Sequence, residues 1–204
     1  MGWRIPLVPK NKADTFKGID NFEDFQSLIP GQGLLWTDTK ILQHNDIEVV
    51  GSSIKENLFK MLAAGRIDYF PRSATEILSE HENRKDMAIA IDRYALIYYP
   101  NAQYFYVNKE NTALAKAIKT GFETIIANGS YDAAFSAMFQ PILEKLQPNK
   151  RKVFKLNNPY FVENTEGYLS TLLRDLDEAS FIQASTQGAQ IPVFVSPATN
   201  PGLP

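Results

Sequence analysis

With 204 residues, 44% of them hydrophobic and 22% charged, the chain has the make-up of a soluble globular protein of one large domain or two small ones. A formal net charge of −2 with the signs well mixed argues against nucleic acid or an anionic membrane as partner. The absence of cysteine excludes disulfides, thiolate metal sites and a cysteine nucleophile; with only His44 and His81, neither a histidine zinc site nor any other cofactor is expected.

In chain order, residues 3–9 are apolar with two prolines and read as an extended entry segment, followed by a polar loop over 10–17. Asp20 or Asn21 caps a helix over 19–28 in which Phe22, Phe25 and Leu28 share a face. A short strand over 27–30, a glycine turn and a helix over 37–45 capped by Thr37 or Asp38 come next. Residues 47–50 read as a strand that stops at Gly51. Ser52 or Ser53 caps a helix with Ile54, Leu58, Met61 and Leu62 along one side, closed by Ala63-Ala64-Gly65. Residues 66–71 read as a strand, 74–81 as a helix, and 87–91, 94–99 and 104–107 as strands. A long helix starts at Asn111, with Leu114, Ile118, Phe122, Ile125 and Ile126 at helical spacing. Gly129 breaks it, and a second helix runs from Ser130 to Leu143 with Phe135, Met138 and Phe139 on one face. Residues 150–156 are extended, and 168–181 form one more amphipathic helix through Leu169, Leu172, Leu173 and Leu176. From Ser185 the composition turns to Gln, Gly, Thr and Pro, which reads as an unstructured tail. No apolar run reaches about 18 residues, so no membrane insertion is expected, and residues 1–7 do not read as a signal peptide.

The stretch over 27–42 organises this pattern. Gly31 and Gly33 in a turn leave amides uncovered by any Cβ, ahead of a helix N-terminus with its partial positive charge. That arrangement is a seat for a carboxylate or another anion; it equally reads as an ordinary strand-to-helix turn that binds nothing. Strand and helix alternate over 19–70, which predicts a parallel α/β sheet with right-handed crossovers. Ligands of such sheets sit beyond the carboxyl ends of strands, where the loops over 31–37 and 71–75 would converge.

Four stretches carry a more specific signal. They are Gly31-Gln32-Gly33 with Trp36-Thr37-Asp38-Thr39; residues 58–72, with Leu62-Ala63-Ala64-Gly65-Arg66-Ile67-Asp68; Tyr98-Tyr99-Pro100 with residues 104–111; and Gly121-Phe122-Glu123 with Asn128-Gly129-Ser130-Tyr131-Asp132. Taken together they resemble the type 2 periplasmic solute-binding proteins, in the amino-acid-binding family 3 branch of ABC transporter substrate-binding proteins, over about residues 5–160. The resemblance implies a periplasmic-binding-protein-like type II α/β fold, with one complete lobe and part of the other. Residues 8–100 would be the second lobe, 101–160 the C-terminal part of the first, and 161–204 an extra helix and tail. Most of the family's first lobe, including the arginine that grips an amino-acid carboxylate, has no counterpart, so the chain reads as a fragment or a shortened relative.

Carried over by position, Gly31, Gln32 and Gly33 match the family's carboxylate-contacting loop, with Trp36 as an apolar wall and Thr37 beside it. The family's acidic residue for the ligand ammonium has its place where this chain has Arg72 and Ser73, with Glu76 one turn on. An arginine there suits an acidic solute group; in isolation it reads rather as a solvated surface charge or a salt bridge to Glu76. The function implied is a solute-binding domain of an ABC-type uptake system or sensor, periplasmic or extracellular, that closes on a small polar or charged solute such as an amino acid or carboxylate. Its hinge strands would lie near residues 5–9 and 98–104, and its partners would be the solute and a membrane permease or sensor protein. No catalysis is expected. The alternatives are a protein-interaction module and, less favoured, a dehydratase-like enzyme using Glu76 or Asp38.

Overall fold

The computed structural model describes residues 2–101 and 105–161 and the backbone of 181–183. The expected entry segment is an interior strand of the main sheet: β1 (Trp3–Pro9) has all seven residues buried. Pro6 and Pro9 give up amide donors there; Pro6 lies opposite Pro71 of β4 and between the residues of β1 that pair with β6 and with β5.

After β1 come α1 (Phe22–Gln26), β2 (Gly31–Gly33), α2 (Thr37–His44), β3 (Val50–Ser52), α3 (Lys55–Ala63), β4 (Phe70–Ser73) and α4 (Ile77–Glu82). Then follow β5 (Ile89–Ile91), β6 (Ala95–Tyr98), the helices α5 (Thr112–Ala127) and α6 (Ser130–Leu146), β7 (Lys152–Lys155) and β8 (Phe181–Gln183). The main sheet has the order β4-β1-β6-β7-β8, with β5 also on β1. β1 is antiparallel to β4, β5 and β6, whereas β6, β7 and β8 run parallel. β2 and β3 form a separate parallel pair, linked towards β4 by a parallel bridge from Pro30 to Tyr69. The pairings within 19–70 are parallel, as the alternation predicts, but the main sheet is mixed. The reason is β1, which precedes that alternating run and enters the middle of the sheet in the opposite direction.

Alternation along the strands supplies two cores, one on each face. Trp3, Ile5, Leu7, Leu96, Tyr98 and Val153 face Leu58, Phe59 and Leu62 of α3, Ile77 of α4 and Leu146 of α6. Val8, Ile97, Tyr99 and Phe154 face Phe22 and Phe25 of α1 and Ile41 and Leu42 of α2. Each such side chain, fully buried, contributes about 1.5–3 kcal/mol. Asp92 and Arg151 tie the last turn of α6 to this body. Arg151 donates to the carbonyls of Leu146 at 2.7 Å and Asp92 at 2.7 Å, and the Asp92 carboxylate accepts from the amides of Tyr94 and Ala95.

Several expected elements shift. The strand predicted over 27–30 is a turn, because α1, capped by Asn21 onto the Asp24 amide, runs to Gln26 and leaves no room for one. The strand moves to the glycines themselves. The strands predicted over 47–50 and 66–71 begin later, at Val50 and Phe70, and α4 begins at Ile77. Of the strand predicted over 104–107, Phe105 and Tyr106 are 68% and 90% exposed and lie in no strand, since β6 ends at Tyr98; Tyr104 lies outside the described residues. The helix predicted over 168–181 also lies outside them, apart from Phe181, whose backbone opens β8. The tail from Ser185 lies outside them as well. Among the described residues, no helix is long and apolar enough to cross a membrane.

Candidate binding cleft

A cleft of about 880 Å³ opens at one end of the main sheet. Its floor is Arg4 near the start of β1 and Arg72 and Ser73 at the end of β4, which the β1–β4 register sets side by side: Arg4 lies opposite Ser73. One wall is the entry to α2, with Leu35, Trp36, Thr37 and Asp38; another is the entry to α4, with Thr75 and Glu76. Asn101 and the α6 aromatics Tyr131, Phe135 and Phe139 complete it. Two loop ends separated in sequence thus converge beyond strand ends, where α/β sheets place ligands.

Of the residues expected at a site, Trp36, Thr37, Arg72, Ser73 and Glu76 line this cleft. Gly31, Gln32 and Gly33 do not. They are buried in β2, parallel to β3. The Gly31 amide donates to the Tyr69 carbonyl at 2.8 Å and the Gly33 amide to Gln32 Oε1 at 3.3 Å, so these are not bare amides awaiting an anion. Neither glycine has a positive φ. The lack of a Cβ serves close packing instead: a Cβ on Gly31 would strike the Ile67 side chain, and one on Gly33 the Trp36 ring. Nor do Thr37 and Asp38 cap α2. Its cap position is Trp36, without a side-chain bond, and Thr39 Oγ1 donates to the Gly33 carbonyl at 2.5 Å to hold the bend.

The cleft's cations are internally paired. Arg4 donates through Nε and Nη2 to the two oxygens of Asp38 at 3.1 and 3.2 Å. The Tyr99 hydroxyl donates to the same carboxylate at 2.6 Å, and the Arg4 guanidinium lies over the Tyr99 ring. Burial works against the charged Arg4, but Tyr99 and Asp38 hold its pKa above the ordinary value. Arg72 donates to both oxygens of Glu80 at 2.6 and 2.8 Å and to Glu76 at 2.9 Å. Its guanidinium lies 5.2 and 4.9 Å from the centroids of the Trp36 and Phe70 rings. Lys55 adds a bond to Glu80 at 3.0 Å. Burial alone would raise the Glu80 carboxyl, yet Arg72 and Lys55 bring it below its ordinary value. The reading of Arg72 as paired with Glu76 therefore holds, with Glu80 as a second and stronger partner.

Sequence reasoning missed Arg4, Glu80, Asn101 and the aromatic row as parts of the site. The spacing of Tyr131, Phe135 and Phe139 at four-residue intervals was the available signal for the row. Arg4, inside a segment read only as a connector, offered none. Among the described residues, no group of three or more His, Asp or Glu is placed to hold a metal.

No family model matches the chain, and no curated protein does. Solved structures do. An ancestral arginine-binding protein bound to glutamine matches at 20% identity over 67% of this chain and 59% of that one, with a TM-score of 0.44. A Bacillus subtilis protein matches at 19% identity over 76% of this chain and 62% of its own, with a TM-score of 0.46. The L-cystine solute receptor of Neisseria gonorrhoeae, in its unliganded open conformation, matches at 15% identity over 68% and 57%, with a TM-score of 0.42. The chain spans about three fifths of the length of these proteins. Over about two thirds or more of its own length, this chain is similar to these solved proteins at TM-scores below 0.5.

Proposed function

We propose that this chain is the cleft-bearing part of a solute-binding domain, which holds a small polar or charged solute between the entries to α2 and α4 and the aromatic row of α6. The observation that carries this reading is the convergence of Trp36, Thr37, Arg72, Ser73 and Glu76 on one cleft of about 880 Å³, a volume in the usual range for small-molecule sites. In this reading residues 8–100 form one lobe, whose sheet β7 (Lys152–Lys155) joins by pairing with β6, and α5 and the start of α6 belong to the other side of the cleft. An uptake system or a sensor, periplasmic or extracellular, is the context this reading favours, with a permease or sensor protein as the receiving partner.

A catalytic role is disfavoured, because Asp38 and Glu76, the carboxylates on the cleft, are each already bonded to a guanidinium. Exposed Phe105, Tyr106 and Met138 favour a second reading, a protein-interaction module. Thermal melting of the chain against a panel of amino acids, amines and small carboxylates distinguishes the two. A binding solute at about 100 times its Kd stabilises by about 2.7 kcal/mol; a melting temperature that no member of the panel moves contradicts solute binding.

A further inference from the structure

α6 is rooted at one end. Ile142, Leu143 and Leu146, near its C-terminus, pack into the core built on β1, β6 and β7; among the described residues, none of α6 ahead of Pro141 belongs to either core. Arg151 clamps the rooted end, its guanidinium donating to the carbonyls of Leu146, Asp92 and Ala95 at 2.7, 2.7 and 3.2 Å. The chain leaving β6 towards α5 is also held to the body as far as Pro100. The Pro100 carbonyl accepts from Asn158 Nδ2 at 2.7 Å, and the Tyr99 amide donates to the Gly2 carbonyl at 3.2 Å. The remaining part of α6, from Ser130 to Gln140, carries the Tyr131, Phe135 and Phe139 row that lines the cleft. It packs with α5, no residue of which is buried.

Pro141 stands between the rooted and the unrooted part. It has no N–H for the Ala137 carbonyl and its ring crowds that carbonyl, so the helix is weakest there. Gln140 Nε2 donates to Glu144 Oε1 across this point at 3.3 Å, an exposed bond that water can replace. Bending elsewhere would break an intact ladder or draw Leu146 out of the core. We propose that Pro141 is the hinge of the cleft: the arm from Ser130 to Gln140 swings about it together with α5 and changes the width of the cleft that its aromatic row lines. The hinge goes beyond the solute-binding reading; that its swing encloses a solute rests on that reading.

The test uses spin labels, which can be placed at will because the chain has no cysteine. One label sits on α3 in Lys60→Cys; the second sits on the arm in Asp132→Cys or on the root in Lys145→Cys, all exposed positions. Asp132 lies about 13 Å along the helix from Pro141, so a bend of about 20° moves it by about 5 Å. In electron–electron double resonance of the full chain without added solute, the arm-to-α3 distances are expected to spread at least about 5 Å wider than the root-to-α3 distances. Pro141→Ala restores the missing bond and is expected to remove that excess. An arm distribution as narrow as the root's, or an excess that a folded Pro141→Ala protein retains, overturns the hinge. The comparison of the two label pairs decides even where Pro141→Ala does not fold. A wide arm distribution in a protein that no solute of the melting panel stabilises upholds the hinge and removes its role in solute capture.

Discussion

Arg72 illustrates how a single side chain changes meaning between sequence and structure. At four residues' distance its pairing with Glu76 is legible, but Glu76 is exposed and an exposed pair is worth only about 0–1 kcal/mol. The partner that fixes Arg72 is Glu80, whose side chain is 10% exposed and accepts two of its bonds. That contact depends on α4 starting at Ile77 and folding back over β4, which no local spacing announces. Glu80→Ala strands a buried guanidinium and is expected to cost about 3–5 kcal/mol in urea unfolding, with Glu76→Gln nearly neutral. The pH dependence has a definite sign. Because the Glu80 carboxyl titrates below its ordinary value in the folded chain, its contribution is fully present above the ordinary carboxylate range. It is lost as pH falls through the lowered value. Stability measured from neutral pH down into the acid range should decline over that window, and Glu80→Ala should flatten the decline; an unchanged profile contradicts the pairing.

Among elements, β2 departs most from its sequence pattern. Glycine, glutamine and glycine before a helix suggest a ligand-facing turn, since glycine's usual service is to free the backbone. Here the same absence of Cβ lets the Trp36 ring lie flat on Gly33 and the Ile67 side chain on Gly31. The chain can tell a reader that something must come close to these backbones, but not whether it is a solute or the protein's own side chains. Gly33→Ala should push the Trp36 ring off its seat on Phe70. The expected outcome is a loss of about 1–3 kcal/mol with a changed tryptophan emission; full stability with native emission contradicts the packing role. The helices were more legible: α5 and α6 occur close to where apolar periodicity and Gly129 put them. Phe135 and Phe139 belong to the apolar face expected over 130–143, and only the tertiary placement of α6 turns them, with Tyr131, into a wall of the cleft.

At the scale of the whole molecule, alternating strands and helices announced an α/β fold, and the convergence of the loops after β2 and β4 was foreseeable from that alternation alone. The mixed sheet was not, because strand direction is a long-range property: β1 is antiparallel to three strands that follow it by tens of residues. The same insertion brings Arg4 to the cleft beside Ser73, so the element least marked in the sequence supplies part of the site. What the account stands on is the cleft itself. Its most direct test is a ¹H–¹⁵N correlation spectrum of the full chain, titrated with whichever amino acid, amine or carboxylate raises the melting temperature most. The predicted perturbations concentrate at the Trp36 indole, Thr37, Ser73, Thr75 and Asn101, all on the cleft, and spare the exposed surface of α3. Perturbations centred away from those residues, on a folded protein that does bind the solute, would contradict the account.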